Sequence, residues 1–330
     1  MRKPKIHLDT LPPKLPAGEP VGIDIEGFGM TKGRLHRPTG HFACLQIATE
    51  KDVWVITDHK QIGKALRLIK KGQWILHHAQ FDLRHLRRWG RLSQLLEQPP
   101  ERLWDTMLVD QLLWGGYYPS SVGFGLDDLA RRYMDIPLDK EIREDFETAE
   151  GLTQKLIEYS ALDPWITLHC KHKQQSELDN GHPAAEGFDY LWNKVEGPMV
   201  YVNLDRKGAM FNGKLWEKIA IEWKVKQTEL SESVNYNPGS HVQVKAALAA
   251  EGVHVRNVQA GTMEELIGRN GGEIAQTRLD YMHAQKRYST YGLQWLKFIE
   301  ADGRIYSDTH QIGTETGREA WSKPNLQQMP

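Results

Sequence analysis

The chain has 330 residues, with 42 Lys+Arg balancing 43 Asp+Glu to a formal net charge of −1. That length favours two domains, and the balance gives no global argument for a polyanionic partner. Two cysteines, Cys44 and Cys170, are too few for a disulfide framework or a multi-cysteine zinc site. No apolar run reaches membrane-spanning length, and the basic start Met1-Arg2-Lys3-Pro4-Lys5 leads into Leu11-Pro12-Pro13-Lys14-Leu15-Pro16 in place of an apolar signal core. A cytoplasmic location is therefore expected.

Residues 20–26, Pro-Val-Gly-Ile-Asp-Ile-Glu, alternate, so Val21, Ile23 and Ile25 share one face of a strand and Gly22, Asp24 and Glu26 the other. Apolar strands are expected over 42–48 and 53–57, joined as a hairpin by Thr49-Glu50-Lys51-Asp52. An amphipathic helix over about 60–70 and a strand over 74–77 complete a β-α-β crossover. The next helix, over 81–89, carries Asp82 in its first turn, at the carboxyl end of a strand, the edge where open α/β sheets build sites. Trp104-Asp105-Thr106 reads as a short strand entering a helix over 107–113, with Asp105 as a cap or brace and not a ligand. Helices follow over 126–133 and 153–169, and in the second a spacing of four puts Tyr159 and Asp163 on one face. His169-Cys170-Lys171-His172 reads as ordinary helix, because no second cluster completes a tetrahedral site.

A polar stretch with Gly and Pro over about 174–190 marks a domain boundary. Beyond it the periodicity predicts a helix over 214–233 with Trp216, Ile219, Ala220 and Trp223 as its apolar stripe, a turn at Asn237-Pro238-Gly239-Ser240 and a helix over 242–251. A third helix over about 274–299 is expected to break near Gly292. Two basic patches, Arg84, Arg87, Arg88 and Arg91 on one helix, and Lys32, Arg34, His36 and Arg37 in the Gly-rich stretch 27–40, read either as solvated surface or as phosphate-facing.

Spacing alone does not single out the acids, since about five acidic pairs two residues apart arise by chance in a chain this acidic. Setting does: one pair lies on a strand with an apolar reverse face, one acid follows a strand and one lies on a late helix. Converging carboxylates repel unless divalent cations neutralise them, so convergence would imply metal.

In order and setting these residues resemble the DnaQ-like 3'-5' exonucleases of the DEDDy type, found as proofreading domains of family A DNA polymerases and as RNase D-like enzymes, over about residues 21–172. Asp24 and Glu26 match the first motif, Phe81-Asp82 the second, and Tyr159 with Asp163 the third; Trp104-Asp105-Thr106-Met107-Leu108 and Gly125-Leu126-Asp127-Asp128-Leu129-Ala130 resemble further stretches of the family. The resemblance implies an α/β, ribonuclease H-like fold with a mixed sheet. It implies catalytic residues Asp24, Glu26, Asp82, Tyr159 and Asp163, with the four carboxylates holding two divalent metal ions, Mg²⁺ or Mn²⁺. Asp24, Glu26 and Asp163 would hold one ion, Asp24 and Asp82 would serve the second, and Tyr159 would orient the attacking water. Where relatives have Asn, four residues before Asp82, this chain has His78, which implies an altered contact with substrate.

From about Val195 the chain resembles the start of the polymerase domain of family A DNA polymerases: Glu196-Gly197-Pro198 and Asp205-Arg206-Lys207-Gly208 resemble the beginning of the palm, and Asn237 to Gln243 and Lys286 to Tyr291 the thumb. The segment from Asp302-Gly303-Arg304-Ile305 through Thr314-Glu315-Thr316-Gly317-Arg318 to Pro324-Asn325-Leu326-Gln327-Gln328-Met329-Pro330 carries the closest match. It implies minor-groove contacts from Arg318, Asn325 and Gln327, and phosphate contacts from Lys286 and Thr290. The expected division is an N-terminal extension over 1–20, the exonuclease domain over 21–176, a linker over 177–192 and an incomplete polymerase region, thumb and first palm segment, over 193–330. No segment resembles the Asp-Tyr-Ser-type metal motif, the nucleotide-binding helix or the His-Asp-Glu motif of such polymerases. The expectation is proofreading of DNA, at a single-stranded 3' end or on primer-template duplex, without synthesis by this chain alone. A second chain could supply the remaining palm and fingers, in a bacterial cell or phage-infected host. An RNase D-like RNA-trimming enzyme and a non-catalytic DNA-binding subunit that completes a polymerase are the alternatives.

Overall fold

The alternation of residues 20–26 becomes the centre of a six-stranded mixed sheet. In the computed structural model, which describes residues 3–30, 40–90, 96–117, 122–138 and 140–329, the strands β1 (Lys5–Leu8), β2 (Pro20–Phe28), β3 (His41–Ala48), β4 (Asp52–Ile56), β5 (Gln73–Leu76) and β6 (Leu103–Asp105) lie in the order β1-β4-β3-β2-β5-β6. The β3–β4 hairpin is antiparallel as expected, and the crossover helix α1 (Ile62–Ile69) delivers β5 parallel to β2. The helices α2 (Ala79–Gly90), α3 (Thr106–Trp114), α4 (Leu126–Met134), α5 (Lys140–Thr148) and α6 (Gln154–Asp179) follow. Val21, Ile23 and Ile25 bury against one apolar cluster, with Leu66 of α1 and Leu83 of α2. Cys44, Ala48, Leu129, Phe146, Ile157 and Trp165 form a second cluster.

The chain divides into two compact units, Met1–Lys207 with Ser307–Lys323, and Gly208–Tyr306 with Pro324–Pro330. This differs from the expected boundaries: residues 193–207 and 307–323, expected in the polymerase region, fall in the first unit, and so do the expected extension and linker. The N-terminal extension is part of the sheet: Lys5 to Leu8 pair in parallel with Asp52 to Val55, and the His7 ring stacks on Trp54 at 5.4 Å. Four residues are too few for an alternation to declare itself. The expected linker is folded too. Helix α6 runs on to Asp179, and after α7 (Phe188–Leu191) the buried Phe188 and Trp192 pack on Trp104, with Trp192 Nε1 donating to the Leu103 carbonyl at 2.8 Å. The polar residues that suggested a linker belong in part to the last turns of a long helix, where an apolar stripe need not be continuous.

Helix α8 (Gly197–Asp205) corrects the first basic patch. Arg84 donates to the Asn203 carbonyl at 2.8 Å and Arg87 pairs with Asp205, so both guanidiniums pin α2 to α8 and do not face a phosphate strand. Burial lowers the Arg84 pKa to about 10. Arg91 and the patch Lys32, Arg34, His36 and Arg37 lie outside the described residues. His169 to His172 lie within α6, with Cys170 buried, as ordinary helix requires. A hairpin of Asp308–His310 and Ala320–Ser322 also belongs to this first unit, where Gln311 Nε2 donates to Glu196 Oε2 at 2.7 Å.

The second unit is built on α9 (Gly213–Glu232), α10 (His241–Ala250), α11 (Ala260–Glu264) and α12 (Gly272–Tyr291). Val244, Leu248, Met263, Ala275 and Leu279 form its core. Trp216 and Trp223 turn inward on α9 as the stripe predicts, Trp216 Nε1 donating to the Tyr291 carbonyl at 2.8 Å. The expected break falls at Gly292, after which Leu293–Phe298 forms a 3-10 turn. Among the described residues no helix is long and apolar enough to cross a membrane.

Asp105 joins the sheet to the helices that follow. One of its oxygens accepts from the N–H groups of Met107 (3.0 Å), Leu108 (3.3 Å) and His78 (3.0 Å), and the other from Ala79 at 2.7 Å. It caps α3 and fixes the turn from β5 into α2, the bracing role the sequence suggests. Burial pushes its carboxyl up to about 6, against the pull of those donors. Asp105→Ala leaves buried N–H groups without an acceptor, and we expect a loss of about 3 kcal/mol in urea denaturation.

Candidate metal centre

Strand β2 sets Asp24 and Glu26 on one face, in register with Gln46 and Cys44 of β3, and the register shifts immediately after Glu26. Helix α6 crosses this face. Its approach depends on Gly22: a Cβ there would fall 2.0 Å from the Pro164 carbonyl oxygen. Only a residue without a side chain lets the helix backbone come this close. Because Pro164 follows Asp163, that contact draws the third carboxylate to the first two. Asp24, Glu26 and Asp163 each offer a ligand oxygen, and these oxygens lie within 4.8 Å of one another.

Asp82 enters from α2. It is 1% exposed, its Oδ2 has no hydrogen-bond partner, and it lines the same cleft of about 430 Å³. Burial first, then the negative charges of Asp24, Asp105 and Glu26, raises its carboxyl well above the ordinary range. Tyr159, one turn before Asp163 on α6, also faces the cleft and is 9% exposed. The rest of the lining is mainly apolar, with Ile25, Phe81, Met107, Leu126 and Leu138. The four carboxylates and the tyrosine named from sequence therefore meet in one place.

A divalent cation fits this donor set. The hard carboxylate oxygens that converge here suit Mg²⁺, Mn²⁺ or Ca²⁺. A buried oxygen with no hydrogen-bond partner beside three further acids is an arrangement that a cation would neutralise. The Cys44 thiol beside Glu26 is buried, and burial and then the charge of Glu26 raise its pKa.

His78 lines the cleft with a left-handed backbone, φ 62°, which its bond to Asp105 holds in place, and its ring stacks on Phe81 at 6.3 Å. The other residues named from sequence lie elsewhere. Arg318 is exposed in the hairpin loop of the first unit, its N–H donating to Thr314 Oγ1 at 3.0 Å. Lys286 and Thr290 are exposed on α12 in the second unit, where Asn325 caps the turn that holds Gln327. Sequence reasoning assigned no role to His77, which meets Thr106 Oγ1 at 2.9 Å, or to Asp127 at the start of α4; both line the cleft. The Gly125-Leu126-Asp127-Asp128 motif was the available signal for the second of these.

Two expectations follow for the site. Gly22→Ala displaces α6, so Mn²⁺ affinity measured by calorimetry should fall about ten-fold or more while the fold persists. Asp82 keeps a proton that an unfolded aspartate gives up near pH 4, so the cation-free fold loses stability as pH rises above that value. A bound cation must displace the proton. Mn²⁺ affinity should therefore rise with pH and binding should release protons, a release that Asp82→Asn diminishes.

Residues 4–179 match the family described as 3'-5' exonuclease, and residues 212–330 the family described as DNA polymerase family A. The chain is 23% identical over 277 residues to DNA polymerase I of Treponema pallidum (strain Nichols), covering 78% of this chain and 26% of that protein. It is 27% identical over 297 residues to the DNA polymerase of Escherichia phage T5, covering 78% of this chain and 34% of that protein. The chain thus spans about a quarter to a third of the length of these curated relatives. A solved structure, the POL domain of Pol1 from M. smegmatis in complex with DNA primer-template and dNTP, is similar at a TM-score of 0.66 and 20% identity, over 95% of this chain and 53% of that one. That likeness supports the fold, a mixed-sheet α/β domain followed by a helical region.

Proposed function

The chain belongs to the 3'-5' exonuclease family that accompanies family A DNA polymerases, and from that premise we propose that it removes nucleotides from the 3' end of DNA by metal-dependent phosphodiester hydrolysis. The observation that carries the proposal is the meeting of Asp24, Glu26 and Asp163 within 4.8 Å, beside the buried Asp82 in one cleft.

In this reading Asp24, Glu26 and Asp163 would hold one divalent cation, with Asp24 and Asp82 serving a second, and such ions, Mg²⁺ or Mn²⁺, would lower the pKa of a water and stabilise the leaving 3'-oxygen. The protein's own groups do the positioning. Tyr159 is a poor base at neutral pH but a good hydrogen-bond partner, and from its place one turn before Asp163 it orients the attacking water. The apolar lining of Phe81, Met107, Leu126 and Leu138 receives the sugar and base of the terminal nucleotide, and His78 contacts it from the turn into α2.

The match of residues 212–330 to family A polymerases favours DNA over the RNA of RNase D-like enzymes as substrate, and makes editing of a polymerase's errors the fitting role. Arg318, Asn325, Gln327, Lys286 and Thr290 then serve primer-template duplex. Palm and fingers from outside residues 1–330, including from a second chain, would supply synthesis, and a gain of primer extension on mixing with such a chain tests that part.

Wild-type chain with Mg²⁺ should shorten a single-stranded DNA oligonucleotide from its 3' end. Asp24→Ala and Asp163→Ala should each lower the rate by about a thousand-fold or more, as loss of a charge-stabilising group at a reacting centre does. Gel analysis with a 5' label reads the result, and wild-type activity in both variants would sink the proposal.

A further inference from the structure

Gly125, Leu126 and Asp127 form one wall of the cleft where the chain enters α4. The segment leading into that wall hangs on a buried network that the chemistry above does not use. Asp110 on α3 is 0% exposed and accepts hydrogen bonds from Arg132 Nη1, from the Tyr133 hydroxyl at 2.5 Å and from Gln174 Nε2 at 3.2 Å. Gln174 is itself held, donating to the Thr106 carbonyl at 2.8 Å and accepting from Trp104 Nε1 at 2.9 Å. Asp110 is therefore a fixed anchor on the α3–α6 scaffold.

Arg132 uses that anchor to reach the wall. Its second arm, Nη2, donates to the Gly123 carbonyl at 2.9 Å, and its guanidinium lies 5.7 Å from the centre of the Phe124 ring. At the far end of the same segment Asp128 Oδ2 accepts from the Gly125 N–H at 3.1 Å. A planar guanidinium can meet a carboxylate and a carbonyl at once, which the single ammonium of lysine cannot reproduce.

We propose that Arg132 is a positioning residue for the nuclease reaction: clamped on Asp110, it fixes residues 123–127 as the wall against which the 3'-terminal nucleotide is held. The inference rests on the nuclease reading above. The bonds described run from Arg132 to α3 and to Gly123, whereas the cation-binding carboxylates lie on β2, α2 and α6, so its loss acts on substrate binding and not on cation binding.

Arg132→Lys and Arg132→Gln in the full chain test this. Arg132→Lys keeps a charge opposite Asp110 but loses the arm to Gly123. It should keep its melting temperature near wild type, yet raise KM for a single-stranded DNA oligonucleotide about ten-fold with kcat within about three-fold. Arg132→Gln should raise KM as much and also melt earlier. In both, amide hydrogen exchange over 122–127 should quicken while Mn²⁺ affinity stays at the wild-type value. Wild-type KM and wild-type exchange in Arg132→Lys would overturn the proposal, because charge alone would then account for the residue. A parallel fall of kcat and Mn²⁺ affinity would also overturn it, since the effect would lie at the cation site. A wild-type chain with no 3'-end activity would overturn the nuclease reading itself, and the substrate role with it, while unchanged exchange in the variants would separately refute the clamp.

Discussion

Repulsion among four carboxylates held in one cleft is the constraint on which the first unit depends. Left to themselves, buried acids protonate or move apart. Asp82 shows the first response, its carboxyl raised by burial and by the charges of Asp24, Asp105 and Glu26. The fold blocks the second. Asp24 and Glu26 are fixed by the ladder between β2 and β3, Asp163 by the contact of α6 with Gly22, and Asp82 by a helix whose start is tied to Asp105. Apolar burial on both sides of the sheet keeps these charges together, and a bound divalent cation would offset that cost.

The same economy of placement explains the surrounding polar groups. Asp105 is as buried as Asp82 and close in charge and sequence setting, yet backbone N–H groups occupy it, so it braces the site without ligating. Asp110, equally buried, is occupied by Arg132, Tyr133 and Gln174 and braces a different wall. What distinguishes Asp82 from these two is a buried carboxylate oxygen, Oδ2, with no hydrogen-bond partner.

Two periodicities made parts of the site legible in the sequence, while the set as a whole, Asp82 included, came from the resemblance to DEDDy exonucleases. Period two puts Asp24 and Glu26 on one face whatever the sheet's order, and a spacing of four puts Tyr159 with Asp163. The order of the sheet, the Gly22–Pro164 contact and the pairing of β1 with β4 are long-range facts with no local signature. Arg84 and Arg87 show the same limit: a helix rich in arginine reads as a patch for phosphates until Asn203 and Asp205, more than a hundred residues away, take up both groups. The expected linker failed for a related reason, since Phe188 and Trp192 anchor on Trp104 by contacts that composition does not reveal.

The central claim is that these carboxylates hold divalent cations, and crystals soaked in Mn²⁺ test it most directly by anomalous scattering. The account predicts a strong peak among Asp24, Glu26 and Asp163, with a second reached by Asp24 and Asp82. Well-ordered carboxylates with no anomalous peak at millimolar Mn²⁺, at a pH where Asp82 is ionised, would contradict it.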